Sequence, residues 1–232
     1  MKTAQNLIKI AKKQSSKKRA EGAARYFKTG KGQYGEGDIF CGLTVPQCRK
    51  ITHEFYELTL NEIQKLLESK IHEIRLIGLL ILVEQYKKAT NKNTIVNFYL
   101  KNTKYINNWD LVDLTAHKIL GDSLLNKSTR ILEKMASSKN LWERRIAVIS
   151  TAAHIKNNDF KPIITLSKKL LRDEHDLMHK AVGWMLREMG KRSEIHLKAF
   201  LNQYANVMPR TMLRYAIEKF PEKERKKYLN LK

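Results

Sequence analysis

Trp109 and Asp113 close the run Asn108-Trp109-Asp110-Leu111-Val112-Asp113. At about 100° per residue, positions four apart lie on nearly the same helix face, one turn from each other. Leu111, Val112 and Leu114 to one side look like core, and Asp110 near the N-terminal turn suits the helix dipole. Asp113 is harder to place. The chain carries 45 Lys and Arg against 23 Asp and Glu, a net charge of +22, and a surface built for a polyanion should not display a carboxylate beside a large aromatic. Such an acid is retained there for chemistry, or else it is a solvated helix acid or the partner of a nearby arginine. Spacing alone leaves these open.

Two further clusters repeat the pattern of a tryptophan followed one turn on by a charge. In Leu141-Trp142-Glu143-Arg144-Arg145 the adjacent arginines point in different directions, so at most one faces the groove that holds Asp113. A guanidinium suits bidentate phosphate contacts; the alternative is a salt bridge to Glu143 or to an acid on the next helix. In the third cluster, Lys180, Trp184 and Arg187 or Glu188 stand at helical spacing, with Trp184 open to a plain core role. Gly183 inside that helix costs roughly 1 kcal/mol relative to Ala, which points to a close helix approach. Arg25-Tyr26-Phe27 puts a cation beside aromatics, compatible with packing or with nucleic-acid contact. His175 and His179 could share a helix face, but two ligands do not make a metal site.

The charge excess repels itself in the compact state and calls for a polyanionic partner, nucleic acid first, with an acidic membrane surface or acidic protein as alternatives. Residues Lys2 to Arg19 are basic with no apolar stretch of signal-peptide length, and Leu76–Val83 is the longest apolar run, too short to span a bilayer. Cys41 and Cys48 are too few for a disulfide scaffold and are not spaced as a zinc pair. A reduced cytoplasm is the expected compartment.

These clusters sit on an all-α chain. Strict apolar alternation is absent, and the four prolines, Pro46, Pro162, Pro209 and Pro221, stand where helices could begin. Thirteen helices are expected, at about 3–28, 46–57, 60–69, 71–89, 93–103, 109–126, 128–137, 140–157, 161–172, 175–190, 193–205, 209–220 and 222–230. Short links make neighbours antiparallel. The helical hairpins resemble HEAT-type units, and the unequal intervals between the tryptophan clusters suit degenerate repeats. The expectation is one domain over 1–232, a solenoid of antiparallel helix pairs with a concave basic groove. A loop at about 29–44 interrupts it, where Gly30, Gly32, Gly35, Gly37 and Gly42 cluster. That loop is either a connection or a DNA-touching element.

Together the segments Trp109–Asp113, Leu141–Arg145 and Lys180–Glu188 resemble the bacterial DNA alkylation repair family of AlkD-like, HEAT-repeat alkylpurine glycosylases. The resemblance runs from Ala24-Arg25-Tyr26 to Phe220 and is strong because the three motifs occur in order. It implies a cleft made by Trp109, Trp184, Asp113 and Arg145, with Tyr26 and Arg187 lining the same DNA-binding groove; Arg144, Lys180 and Arg25 are further expected DNA contacts. The glycine-rich segment looks like the mark of a particular branch, whose substrate could differ.

The resemblance further implies release of cationic N3- or N7-alkylated purines from duplex DNA. Asp113 would stabilise a sugar that becomes cationic and position water, the two tryptophans would flank the deoxyribose, and Arg145 would hold a phosphate. No metal or organic cofactor is required, and a monomer that associates with the nucleoid through DNA is expected. The rival functions are a non-catalytic binder of distorted or branched DNA and a scaffold for acidic peptides.

Overall fold

A computed structural model describes residues 2–231, and among these it is all-α: fourteen α-helices and no strand. The chain falls into two compact units, Met1–Thr115 and Ala116–Lys232.

The first unit holds α1 (Ala4–Lys13), α2 (Lys17–Tyr26), α3 (Val45–Phe55), α4 (Leu60–Leu67), α5 (His72–Lys88), α6 (Lys92–Lys101) and α7 (Trp109–Asp113). Its core is α5, buried on all sides from His72 to Val83. A helix apolar all round has to be covered all round, and α3, α4, α6 and α7 pack on it. α3 starts with a capping box between Thr44 and Gln47 and has Pro46 in its first turn, where a missing N–H costs nothing.

The second unit opens with a π-helical turn, His117–Gly121, followed by α8 (Arg130–Met135), α9 (Leu141–Lys156), α10 (Lys161–Lys169), α11 (Asp176–Arg192), α12 (Glu194–Tyr204), α13 (Arg210–Ala216) and α14 (Glu222–Leu229). α9 and α11 are its central helices. α9 packs against the π-turn, α8, α10 and α11, and α11 packs against α10, α12 and α13. Gly183 is where α11 meets α13: a Cβ there would collide with the Met212 carbonyl oxygen and stand 2.5 Å from the Tyr215 Cβ. The glycine reflects a close helix approach, as its cost in a helix implied.

Two of the expected helices are divided. The stretch 3–28 is α1 and α2, because Ser16 takes an extended conformation and its hydroxyl accepts the Arg19 N–H, starting a new helix. The stretch 109–126 breaks after Asp113. The Thr115 hydroxyl bonds the Leu111 carbonyl at 2.6 Å and lies 3.2 Å from the Tyr99 hydroxyl. This local back-bonding competes with regular helix, and the chain resumes in the π-turn. Pro209 and Pro221 are N-cap residues and Pro162 lies in a first turn.

Candidate active site

In the first unit, α2 delivers Tyr26 and its C-cap residue Phe27 to the start of α7. Phe27 stacks on Trp109 at 5.0 Å and on Phe40 at 5.0 Å, with ring planes 20° and 18° apart. Tyr26 meets Trp109 edge to face at 5.8 Å and is 67% exposed. Trp109 is therefore held on its buried side by Phe27 and flanked by a tyrosine open to solvent. Arg25, at the end of the same helix, is exposed. Asp113 ends α7, half-buried. Burial pushes the Tyr99 phenol up, and the nearby charge of Asp113 adds to that.

The α7 start is fixed by a buried charge network. His72, at the first position of α5, places Nδ1 3.0 Å from Asp38 Oδ2 and Nε2 2.8 Å from Asp110 Oδ2. Asp38 also accepts from Arg75 Nη2 at 2.5 Å, Asn107 Nδ2 at 3.2 Å and Asn108 Nδ2 at 3.3 Å. Burial opposes the charge on both partners, yet the pairing wins. The two carboxylates hold His72 up at about 9, and His72 and Arg75 hold Asp38 down at about 2. At neutral pH the imidazole is a buried cation between two anions. Asp110 therefore does more than suit a dipole: its Oδ1 accepts the Leu111 N–H at 2.9 Å while its Oδ2 faces His72.

The glycine-rich segment is bound into this network. The Ile39 carbonyl accepts the His72 N–H at 2.8 Å, satisfying an α5 donor that has no intrahelical partner, and Ile39 and Ile71 form an isolated parallel bridge. Glu73 accepts the backbone N–H groups of Cys41, Gly42 and Leu43 at 2.9, 2.7 and 3.2 Å. Gly42, at φ 79°, lies against the Ser16 carbonyl, where no side chain fits. Burial, with the Glu73 charge, pushes both the Cys41 and Cys48 thiols up to about 12.

In the second unit the adjacent arginines diverge as expected. Arg144 is taken up internally: Nε donates to Asp173 at 2.7 Å and Nη1 to the Ser138 and Lys139 carbonyls at 3.0 and 3.1 Å. Asp173, in the segment before α11, is the acid paired with Arg144. Arg145 is 5% exposed, and its Nη1 donates to the Leu177 carbonyl at 2.6 Å. Trp184 is half-buried, its Nε1 donating to Glu188 at 3.1 Å. Arg187 pairs with Glu218. Lys180 pairs with Asp176 at 2.6 Å one turn back, and this holds the Asp176 carboxyl below its ordinary value. Trp142 is buried, a core residue of α9. His175 caps α11 by accepting the Leu177 N–H at 3.1 Å, and His179 Nε2 meets the Asp173 carbonyl at 2.5 Å.

A family model described as DNA alkylation repair enzyme matches residues 7–220. The chain belongs to that family. A solved structure described as a predicted DNA alkylation repair enzyme from Enterococcus faecalis superposes with a TM-score of 0.73. It covers 90% of this chain and 98% of its own at 17% identity, a likeness of fold alone. No curated protein matches the chain. In this DNA alkylation repair protein no helix among the described residues is long and apolar enough to cross a membrane.

Sequence reasoning missed Asp38, His72, Glu73 and Arg75. A signal was present: His72-Glu73-Ile74-Arg75 leads directly into the longest apolar run. Charges carried on a helix that buries all its sides need partners.

Proposed function

We propose that this protein is a DNA glycosylase that hydrolyses the N-glycosidic bond of cationic N3- and N7-alkylated purines in duplex DNA. Its strongly basic surface takes the duplex, as the net charge of +22 favours. The observation that carries the reading is the pairing of Trp109 and Asp113 on one turn of α7. There an exposed tyrosine flanks the indole, on a chain with a net charge of +22. A carboxylate beside an indole on so basic a chain supports a role at the sugar.

An N3- or N7-alkylated purine already carries a positive charge, so its bond to deoxyribose breaks without protonation of the base. As the bond lengthens the sugar becomes cationic. Asp113 stabilises that charge and orients the attacking water. Trp109 offers its ring face to the same cation; by the family resemblance, Trp184 takes the role of a second aromatic and Arg145 that of a phosphate holder. Tyr26, Arg25, Lys180 and Arg187 contact the DNA backbone, with Arg187 and Lys180 exchanging Glu218 and Asp176 for phosphate. Arg144, committed to Asp173, supports the fold of its helix.

The test is single-turnover release of N7-methylguanine and N3-methyladenine from duplex DNA by the wild type and by Asp113→Asn. The wild type is expected to release base. The variant should lose nearly all release while binding DNA as well or slightly better, because a like charge facing phosphate is gone. Full activity in the variant would assign Asp113 to structure and overturn the mechanism.

A further inference from the structure

We propose that His72 is a positioning residue of this reaction, a buried imidazole clamp that ties the glycine-rich segment, through Asp38, to the start of α7, through Asp110, and so sets where Trp109 and Asp113 stand. The inference rests on the glycosylase reading for its kinetic consequence and on geometry for the clamp itself.

The geometry has three parts. First, the ring bridges elements far apart in sequence: Asp38 lies in the segment after α2, His72 opens α5, and Asp110 is the second residue of α7. Second, α7 spans only Trp109–Asp113, too short to hold its own direction, since isolated helices of this length are unstable in water. Its orientation has to come from outside. The outside contacts at its start include the His72 bond to Asp110, the Asn108 bond to Asp38, and the Phe27 and Tyr26 rings against Trp109. Third, His72 belongs to that same stack, 4.6 Å from Phe40 and 5.1 Å from Phe27. One ring therefore supports both the acid and the aromatic neighbours of the indole.

The charged and titratable groups around His72 are few. Asp38 faces it from the glycine-rich segment and Asp110 from α7. Arg75 on its own helix pairs with Asp38, and Glu73 is turned to the Cys41–Leu43 backbone. The Cys41 and Cys48 thiols stay neutral until far above neutral pH. In the range from neutral to moderately alkaline pH the clamp therefore opens with the proton of His72. Without that proton the ring keeps a single N–H, which bonds Asp38 or Asp110 but not both, so the bridge between them is broken even though Arg75, Asn107 and Asn108 still donate to Asp38.

The experiment compares wild type, Asp110→Asn and His72→Gln in single-turnover base release between pH 6 and 9.5, with duplex affinity and thermal midpoint measured alongside. Asp110→Asn keeps an acceptor for the Leu111 N–H and removes only the charge, so it stays informative if His72→Gln fails to fold. Release by Asp110→Asn at pH 8.5 is expected to fall roughly tenfold to a hundredfold, the range a misplacement of about 1 Å produces, with duplex affinity changed less than threefold. The alkaline limb of its pH profile should move at least one pH unit lower than in wild type.

Trp109 emission, read in a Trp142→Phe/Trp184→Phe background, should change with pH along the same two curves whether or not base is released. If the wild type releases no base, the glycosylase reading fails and the emission curves alone decide the clamp. A lowered thermal midpoint with an unshifted pH profile, or emission curves identical in wild type and Asp110→Asn, would reduce His72 to a fold-stabilising residue and overturn the proposal.

Discussion

Raising the pH through the titration of His72 should weaken the first unit before any other group named here responds. The folded imidazole titrates at about 9 against an ordinary value of 6.5. Its pairing energy is fully present below pH 6.5, is lost progressively as pH rises, and is gone above 9. Each pH unit in that window removes at most about 1.4 kcal/mol, so the whole interval removes at most about 3.5 kcal/mol. The lowered Asp38 carboxyl describes the same interaction from its other end and is not added. Its own window lies in acid, where stability falls as pH drops from 3.8 through about 2. The thiols, raised from 9.0 to about 12, begin to contribute only above pH 9. Burial pushes His175 down, so its effect lies below pH 6.5.

The assay is urea unfolding followed by Trp109 emission in the Trp142→Phe/Trp184→Phe background at pH 6.5, 7.5, 8.5 and 9. With a urea slope of roughly 1–3 kcal/mol per molar, the midpoint should fall by about 1–3 M across the series. His72→Gln should start lower and show almost no slope in the window. A midpoint flat from pH 6.5 to 9 in wild type, or an equal slope in His72→Gln, would refute the assignment of His72 as a buried cation.

Duplex affinity should fall steeply with salt, with a log–log slope of about −0.9 per phosphate neutralised; a nearly salt-independent affinity would favour an acidic-peptide scaffold. Release should favour N7-methylguanine and N3-methyladenine over uracil, because Asp113 acts on the sugar and a neutral base leaves only with its own developing charge neutralised; comparable rates in side-by-side assays would mean that a further acid or base pocket acts. Gly183→Ala should destabilise the second unit by about 1–3 kcal/mol despite Ala's better helix propensity, because its Cβ would collide with the Met212 carbonyl; a raised thermal midpoint would contradict the close α11–α13 packing.

Helix content was legible because apolar periodicity and proline placement are local properties. The tight contact at Gly183 was legible too, since a glycine in a helix interior needs a reason. The break at Ser16 was marked by a Ser-Ser pair inside a lysine run, but the continuous basic composition masked it. The division after Asp113 was not legible: it depends on Thr115 meeting both Leu111 and Tyr99, and the second contact is tertiary. The site divides in the same way. Trp109 and Asp113 share a face by spacing alone. That Arg144 is occupied while Arg145 is buried depends on where Asp173 and the Leu177 carbonyl fall. His72 went unnoticed because its partners stand 34 and 38 residues away.

The two thiols bear on how such a protein survives its working conditions. An agent that methylates purines also methylates sulfur, and it attacks the thiolate rather than the thiol. With both groups raised from 9.0 to about 12, the ionised fraction at any pH below 9 is about a thousandfold smaller than for an ordinary cysteine. Burial first, and then the Glu73 carboxylate that holds the Cys41–Leu43 backbone, favour the protonated thiols.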